Sequence, residues 1–173
     1  ATPQTIPGYT YQPLFDENDM KTVASGTVAG DGSLVLNLYY TPDADALAYH
    51  ANGGQGTMAA TEGVTDQVVE VAANGFERAG YTFVGWNTAA DGSGQAYAAG
   101  AGYTLTAGDD ALFAQWTAND GTAYTVNHYK VNAAHTAATL DNAENLKATT
   151  DASVSATPQT IPGYTYQPLF DEN

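Results

Sequence analysis

The sequence contains no cysteine, which excludes disulfides, zinc–thiolate sites and cysteine nucleophiles. Basic residues are scarce, since 4 Lys+Arg stand against 19 Asp+Glu and give a net charge of −15. This balance argues against nucleic acid and anionic membranes as partners, because both need a basic surface. The apolar runs are short, and the first residues lack a charged n-region and an apolar h-region. We therefore expect neither membrane insertion of this segment nor a signal peptide.

Large aliphatic residues are also few, because Leu, Ile, Val and Phe together number 28 of 173 residues. Such a composition with a high net charge is typical of disordered chains. The 12 Tyr and 2 Trp compensate for the low content of aliphatic residues, since each aromatic side chain buries a large apolar area. The composition therefore predicts a folded, mainly β protein with small cores.

An internal repeat organises the chain. Residues 1–18 and residues 156–173 both read ATPQTIPGYTYQPLFDEN, without one mismatch, at an offset of 155 residues. Such identity predicts a tandem array with a period of 155 residues. The period is too long for a solenoid repeat, so each period should contain whole domains.

The repeat also predicts the domain boundaries. Residues 121–155 lead into the second copy, whereas residues 19–43 follow the first copy. Joining these parts gives one module, of which residues 1–43 are the C-terminal half and residues 121–173 the N-terminal part. Residues 44–120 are then a second, complete module. If residues 19–43 pair with residues 121–155, we expect the pairing to occur between chains.

Alternating polar and apolar residues predict most of the secondary structure. Leu34, Leu36, Leu38 and Tyr40 share one face of a strand over residues 32–41, which follows a Gly-Asp-Gly turn. Further strands are predicted over 46–52, 66–72, 81–87, 110–116 and 122–131, with a turn over 89–95. The only helix-like pattern covers residues 137–148.

The second module resembles a known family. The segments that carry the resemblance are LAYHANGGQGT (Leu47–Thr57), GYTFVGWNTAADGSG (Gly80–Gly94) and ALFAQW (Ala111–Trp116). They resemble the Listeria–Bacteroides repeat, also called the internalin B-repeat. The resemblance implies a small β-grasp-like fold strung along bacterial surface proteins. The segment Thr61–Ala79 is longer than usual and lacks the usual proline before Gly80, so we expect a different loop there.

The rejoined first module resembles MucBP-like repeats of Gram-positive surface proteins. The motifs are YTVNHYKVN (Tyr124–Asn132), SGTVAGDGSLVLNLYY (Ser25–Tyr40) and TPQTIPGYTY, which occurs at Thr2–Tyr11 and at Thr157–Tyr166. Together the two resemblances imply an extracellular, cell-wall-anchored adhesin with a repetitive stalk. They also imply that the stalk consists of small β-grasp-like modules in an elongated tandem array.

Three functions are compatible with these features. The first is a structural spacer whose partners are neighbouring repeats of the same chain. The second is a module that binds mucin or other host glycans, with avidity from many repeats. The third is head-to-tail self-association into an open filament. We expect no enzyme and no cofactor, since the sequence has no nucleophile elbow, phosphate loop or HExxH motif.

The aromatic residues allow two interpretations. Trp86 and Trp116 could present a platform for a sugar, but we favour core anchors, because aromatics dominate small cores. Five tyrosines suit a glycan surface, although cross-strand pairing on a half-buried sheet is the interpretation we favour. These are Tyr9, Tyr11, Tyr39, Tyr40 and Tyr129.

The titratable residues give no strong site. The three histidines, His50, His128 and His135, lack metal-ligand spacing, and we expect structural or surface roles. We interpret Asp31 and Asp91 as residues of hairpin turns rather than calcium loops. The pair Asp109-Asp110 and the cluster Asp16-Glu17-Asp19 are predicted to lie in solvated turns. Lys130 is the least implausible donor for an internal isopeptide bond, which we do not expect.

Overall fold

The computed structural model describes residues 1–168, in which there are strands and no helices. The prediction of a mainly β fold is therefore confirmed. The strands are β1 (Tyr9–Gln12), β2 (Asp16–Glu17), β3 (Met20–Lys21), β4 (Tyr39–Pro42), β5 (Ala44–His50), β6 (Thr61–Val64), β7 (Val68–Glu70), β8 (Tyr81–Asn87), β9 (Ala96–Tyr97), β10 (Gly102–Thr104), β11 (Asp110–Ala118), β12 (Thr122–Val131) and β13 (Ala138–Ala148). Over the same residues, no helix is long and apolar enough to cross a membrane.

The chain forms two compact units. The first contains Ala1–Arg78 and Phe83–Trp116, and the second contains Ala79–Thr82 and the chain from Thr117 onward. The module boundaries inferred from the repeat stay a prediction, because a single copy of the chain does not show the array.

A five-stranded sheet forms the centre of the first unit. Its strand order is β6-β5-β11-β8-β9. Strands β5 and β11 are parallel, whereas β6 runs antiparallel to β5 and β9 antiparallel to β8. A short antiparallel ribbon of β7 and β10 accompanies this sheet.

The core follows from the alternation within the strands. Leu47 and Tyr49 of β5 are buried with Leu112 and Ala114 of β11, because residues two apart share a face. Trp86, at the end of β8, is 1% exposed. The remaining buried apolar residues are Val69, Val71, Phe76, Tyr103 and Leu105.

Strand β6 was not predicted, and it lies in the segment where we expected a different loop. It pairs with β5, with Thr61 opposite Leu47. Because Gly63 has no side chain, residues 61–64 lack a clear alternation of polar and apolar side chains, and the sequence therefore does not predict strand β6. A Cβ on Gly63 would lie 2.6 Å from Leu105 Cδ1, so the close packing requires glycine there. Strand β7 is also shorter than the predicted strand over 66–72.

The N-terminal region of the first unit is a ribbon of β1 and β4. The strand predicted over 32–41 is wrong in extent, because β4 begins only at Tyr39. The predicted alternation does hold, since Leu34, Leu36 and Leu38 are half-buried while Val35 is 66% exposed. Residues 32–38 make a single bridge, between Asn37 and Val23. A strand needs a continuous partner, and this stretch has only that one.

The second unit contains the long hairpin of β12 and β13. Its ladder runs from Thr122 opposite Ala148 to Val131 opposite Ala138, with one irregularity between His128 and Tyr129. The helix predicted over 137–148 is therefore wrong. The pairing partner overrides the helical preference of its Ala, Leu, Glu and Lys residues, which is a weak preference in any case. Strands β8 and β12 have the predicted bounds.

Candidate functional site

The tryptophans lie where the favoured interpretation places them. The Trp86 ring packs 4.9 Å from the Tyr49 ring and 5.1 Å from the Phe83 ring, measured between centroids. Its indole Nε1 donates a hydrogen bond to the carbonyl of Ala72 at 3.0 Å. Trp116 is half-buried, and its Nε1 donates to the carbonyl of Ala51 at 2.9 Å. Trp86 is thus a core anchor, and its ring is not available as a sugar platform.

Aromatic side chains cover the ribbon of β1 and β4. Tyr11 and Tyr40 are direct cross-strand partners, and their ring centroids are 5.5 Å apart. Phe15 and Tyr39 stack at 5.4 Å. The predicted cross-strand pairing of tyrosines is therefore confirmed here, and such pairs stabilise a two-stranded ribbon.

Strand β1 is also fixed to the loop that follows β6. The Tyr9 hydroxyl donates to Asp66 Oδ2 at 2.7 Å. This hydrogen bond to a carboxylate raises the pKa of Tyr9, because it stabilises the protonated hydroxyl. Gly8 has φ +74, and a Cβ there would lie 2.5 Å from Thr65 Cγ2.

The second unit has an open groove of about 810 Å³ between its hairpin and residues 159–167. Tyr129, Tyr164 and Tyr166 line it, and they are 54%, 51% and 61% exposed. Lys130 Nζ lies 5.7 Å from the centroid of the Tyr164 ring. Side-chain amides also line the groove, among them Asn132 and Gln159. Tyr129, His128 and His135 were candidates from the sequence, but the groove itself could not be predicted, because it depends on where residues 159–167 lie.

His128 also lines this groove. Its side chain is 10% exposed, and its Nε2 lies 3.4 Å from Glu144 Oε1 without a hydrogen-bond partner. His50 stacks on Phe113 at 4.8 Å, and His135 lies on the surface. The histidines thus have the structural and surface roles that we expected. In the described part of the chain, no three metal-ligating side chains are close enough to hold an ion.

The aspartates of the two glycine-rich turns hold those turns closed. Asp31 Oδ1 accepts a hydrogen bond from the backbone N of Ser33, and Asp91 Oδ1 accepts one from that of Ser93, both at 3.0 Å. Hydrogen bonds from the two serines lower the pKa of both carboxyl groups. The interpretation of these residues as turn formers is confirmed.

The interpretation of Asp110 as a solvated turn residue is wrong. Asp110 is 6% exposed, and it accepts hydrogen bonds from the Tyr103 hydroxyl at 2.9 Å and from the Thr106 backbone N at 2.7 Å. Burial, followed by the bond to Asp110, raises the pKa of Tyr103 to about 12. The sequence does contain an indication that Asp110 is buried, because the period-two pattern of β11 places it on the same face as Leu112 and Ala114.

Two lysines form ion pairs at the surface. Asp16 pairs with Lys21 at 2.8 Å across the short hairpin of β2 and β3. Lys130 forms an ion pair with Asp141, which raises the pKa of the lysine. Its partner is the Asp141 carboxylate rather than an asparagine side chain.

Comparison with known proteins identifies the central part of the chain. Residues 46–115 match the Listeria-Bacteroides repeat domain. The match runs from β5 into β11 and includes the core residues Leu47, Trp86 and Leu112. The resemblance to the Listeria–Bacteroides repeat is confirmed for this part, which is less than half of the chain. The resemblance of the rejoined first module to MucBP-like repeats stays a prediction.

One relative is a protein of Evansella cellulosilytica, named as a candidate membrane protein. It is 46% identical over 43 residues, which cover 25% of this chain and 6% of the relative. The chain thus corresponds to a small part of that much longer protein. No solved structure matches the chain.

Proposed function

We propose that this chain is a spacer segment of a bacterial cell-surface protein, with the Listeria-Bacteroides module as one of two alternating units of a stalk. The observation that carries the proposal is the 18-residue identity at a 155-residue offset, with the matched domain lying between the two copies. A stalk needs repeated domains of constant size, and an undiverged repeat supplies them.

The packing of the first unit supports a mechanical role. Large aromatic side chains of this unit pack in the core, as with Trp86 and Phe76, or pair across the ribbon of β1 and β4, as with Tyr11 and Tyr40. The net charge of −15 keeps neighbouring repeats apart and soluble. In the parent protein the other unit is the MucBP-like module, and the cell wall is the anchor of the stalk.

The spacer role predicts a length that grows with the number of repeats. A module of this size is about 30 Å across, so a period of two modules adds on the order of 60 Å when the modules are stacked end to end. Small-angle scattering of proteins with one, two and four periods measures the maximum dimension. Linear growth supports the spacer. Growth with the square root of the period number, as in a flexible chain, overturns it.

The open groove of the second unit favours a second candidate, the binding of mucin or other host glycans. Exposed tyrosine rings beside amide side chains combine stacking surface with hydrogen-bond donors and acceptors, which sugars use. Weak single sites would gain avidity from the array.

The matched variants for this candidate are Tyr129→Ala, in the groove, and Val35→Ala, exposed on the other unit. Immobilised mucin and a glycan array serve as probes, with four-period proteins in every case. Loss of binding in Tyr129→Ala but not in Val35→Ala supports the glycan role. Absence of binding by the unchanged array overturns it and leaves the spacer.

A further inference from the structure

The first and last strands of the Listeria-Bacteroides module are parallel neighbours. β5 lies at the start of the matched domain and β11 at its end, and the two occupy adjacent positions inside the five-stranded sheet. Their ladder begins with Leu47 opposite Asp110 and ends with His50 opposite Phe113. We propose that this ladder is a mechanical clamp, through which tension along the stalk passes from β5 to β11. The proposal rests on the spacer role proposed above, because an anchored stalk carries tension.

The direction of the two strands determines how tension loads their hydrogen bonds. β5 begins at Ala44 and β11 ends at Ala118. Because the strands are parallel, these two points lie at opposite ends of the ladder. Tension therefore pulls β5 and β11 in opposite directions along their length, and all the ladder hydrogen bonds bear the load together. Tension applied to the same end of both strands would instead break the bonds one after another.

Side chains on both faces of the sheet oppose sliding of β5 against β11. On the core face, Leu47 and Leu112 are both 0% exposed. On the other face, the rings of His50 and Phe113 stack across the two strands, with their centroids 4.8 Å apart. Sliding would separate these contacts and open voids in a closely packed core. The clamp therefore resists shear through its side chains as well as through its backbone.

Two side chains extend the clamp beyond the end of β5. The Asn52 Nδ2 donates a hydrogen bond to the carbonyl of Ala114, and the Trp116 Nε1 donates one to the carbonyl of Ala51, both at 2.9 Å. A Cβ on Gly54 would lie 2.8 Å from Trp116 Cζ2, so glycine lets the indole lie against this loop. The Asn-Gly-Gly and Gln-Trp sequences of the family motifs thus join the chain after β5 to β11.

Force spectroscopy of the full chain tests the clamp. The sequence has no cysteine, so two introduced thiols define the points at which force is applied. The first pair, Ala44→Cys with Thr117→Cys, loads opposite ends of the ladder, as the stalk does. The second pair, Ala44→Cys with Asp109→Cys, is the matched control and loads the same end of both strands. All three positions are exposed, so the substitutions leave the core intact.

The first pair should unfold at a higher force than the second at the same loading rate, by roughly a factor of two, because its ladder bonds break together. The extension on unfolding, roughly 250 Å for the first pair and roughly 220 Å for the second, identifies this module as the part that unfolds. Equal forces, or a lower force for the first pair, overturn the clamp. The scattering experiment tests the spacer separately, because a flexible array would overturn the spacer without changing this ratio of forces.

Asn52→Gly tests the extension of the clamp. Asn52 has φ +47, which glycine adopts freely, so the substitution removes the side-chain amide without straining the backbone. Asn52 Nδ2 also donates to the carbonyl of Ala90 at 2.7 Å, so its loss should lower both unfolding forces. The force of the first pair should fall further, because shear also loads the bond to Ala114. An unchanged ratio of the two forces would overturn the role of Asn52 in the clamp.

Discussion

Residues 6–12 and residues 161–167 have one sequence and two structures. Both contain the same turn, with glycine φ values of +74 and +79. Only the first copy continues into a strand, in which Tyr11 is half-buried, whereas the equivalent Tyr166 is 61% exposed. The difference cannot come from local sequence, and it therefore comes from the partner strand.

The comparison separates what is local from what is not. The segment Ile-Pro-Gly-Tyr places proline and then a left-handed glycine at the two central positions, which is the signature of a type II turn. That turn forms in both copies because it needs no partner. A strand depends on the cross-strand neighbours that it meets. Tyr11 meets Tyr40, and this is the contact that the second copy lacks.

Removal of the central aromatic anchor is the largest perturbation. Trp86→Ala should destabilise the first unit by roughly 3–5 kcal/mol, because it deletes a fully buried indole and leaves a cavity. With the core lost, the backbone amides of residues 9–12 should exchange as fast as those of residues 164–167. Chemical denaturation measures the first effect. Nuclear magnetic resonance is needed for the second, since peptides from the two copies have the same mass.

The half-buried Trp116 supplies the control for this substitution. Trp116→Ala should lower the free energy of unfolding by less than Trp86→Ala does, because the Trp116 ring is less buried. An unchanged melting temperature in Trp86→Ala, or equal costs for the two substitutions, would contradict the assignment of Trp86 as the anchor.

Two neighbouring aspartates extend the comparison to single residues. Asp110 is buried and Asp109 is exposed. Asp110→Ala should cost about 1–3 kcal/mol, because it leaves the buried Tyr103 hydroxyl without its acceptor. Asp109→Ala should stay within about 0.5 kcal/mol of the unchanged chain. Urea unfolding measures both, and equal costs would show that burial does not set the difference.

Much of this fold could be predicted, because its signals are local. The bounds of β8 and β12 follow from alternation, and the turns at Asp31 and Asp91 follow from their Gly-Asp-Gly and Asp-Gly-Ser sequences. The motifs near Leu47, Trp86 and Leu112 correctly predicted the match to the Listeria–Bacteroides repeat domain over residues 46–115.

The failures share one cause, which is pairing between distant residues. β13 was predicted as a helix because its Ala, Leu, Glu and Lys residues favour one, and its partner β12 decides otherwise. β6 was missed because Gly63 has no side chain to show the pattern. The groove beside Tyr129 could not be predicted, since tertiary contacts place residues 159–167 there. A period-two pattern can reveal which face is buried, but not which strand comes to lie beside it.

Matched substitutions in the two copies sharpen the central comparison. Tyr11→Ala should cost about 1 kcal/mol, since it removes an aromatic pair from a half-buried ribbon. Tyr166→Ala should change stability by less than about 0.5 kcal/mol, as expected for an exposed residue. Thermal unfolding of the two variants at micromolar concentration measures the difference. Equal losses of stability in the two variants would mean that pairing with β4 does not increase the contribution of Tyr11 to stability.

The smallest effect is the pH dependence of the Tyr9–Asp66 contact. The pKa of Tyr9 in the folded chain is raised above the ordinary value of 10.0 by its bond to the Asp66 carboxylate. The contact therefore stabilises fully below pH 10 and is lost as the pH rises through the pKa of the folded state. Urea unfolding between pH 8 and pH 12 should show a difference between the unchanged chain and Tyr9→Phe that shrinks as the pH rises. Asp66→Asn should remove that pH dependence, and its persistence in Asp66→Asn would assign it to a group other than Tyr9.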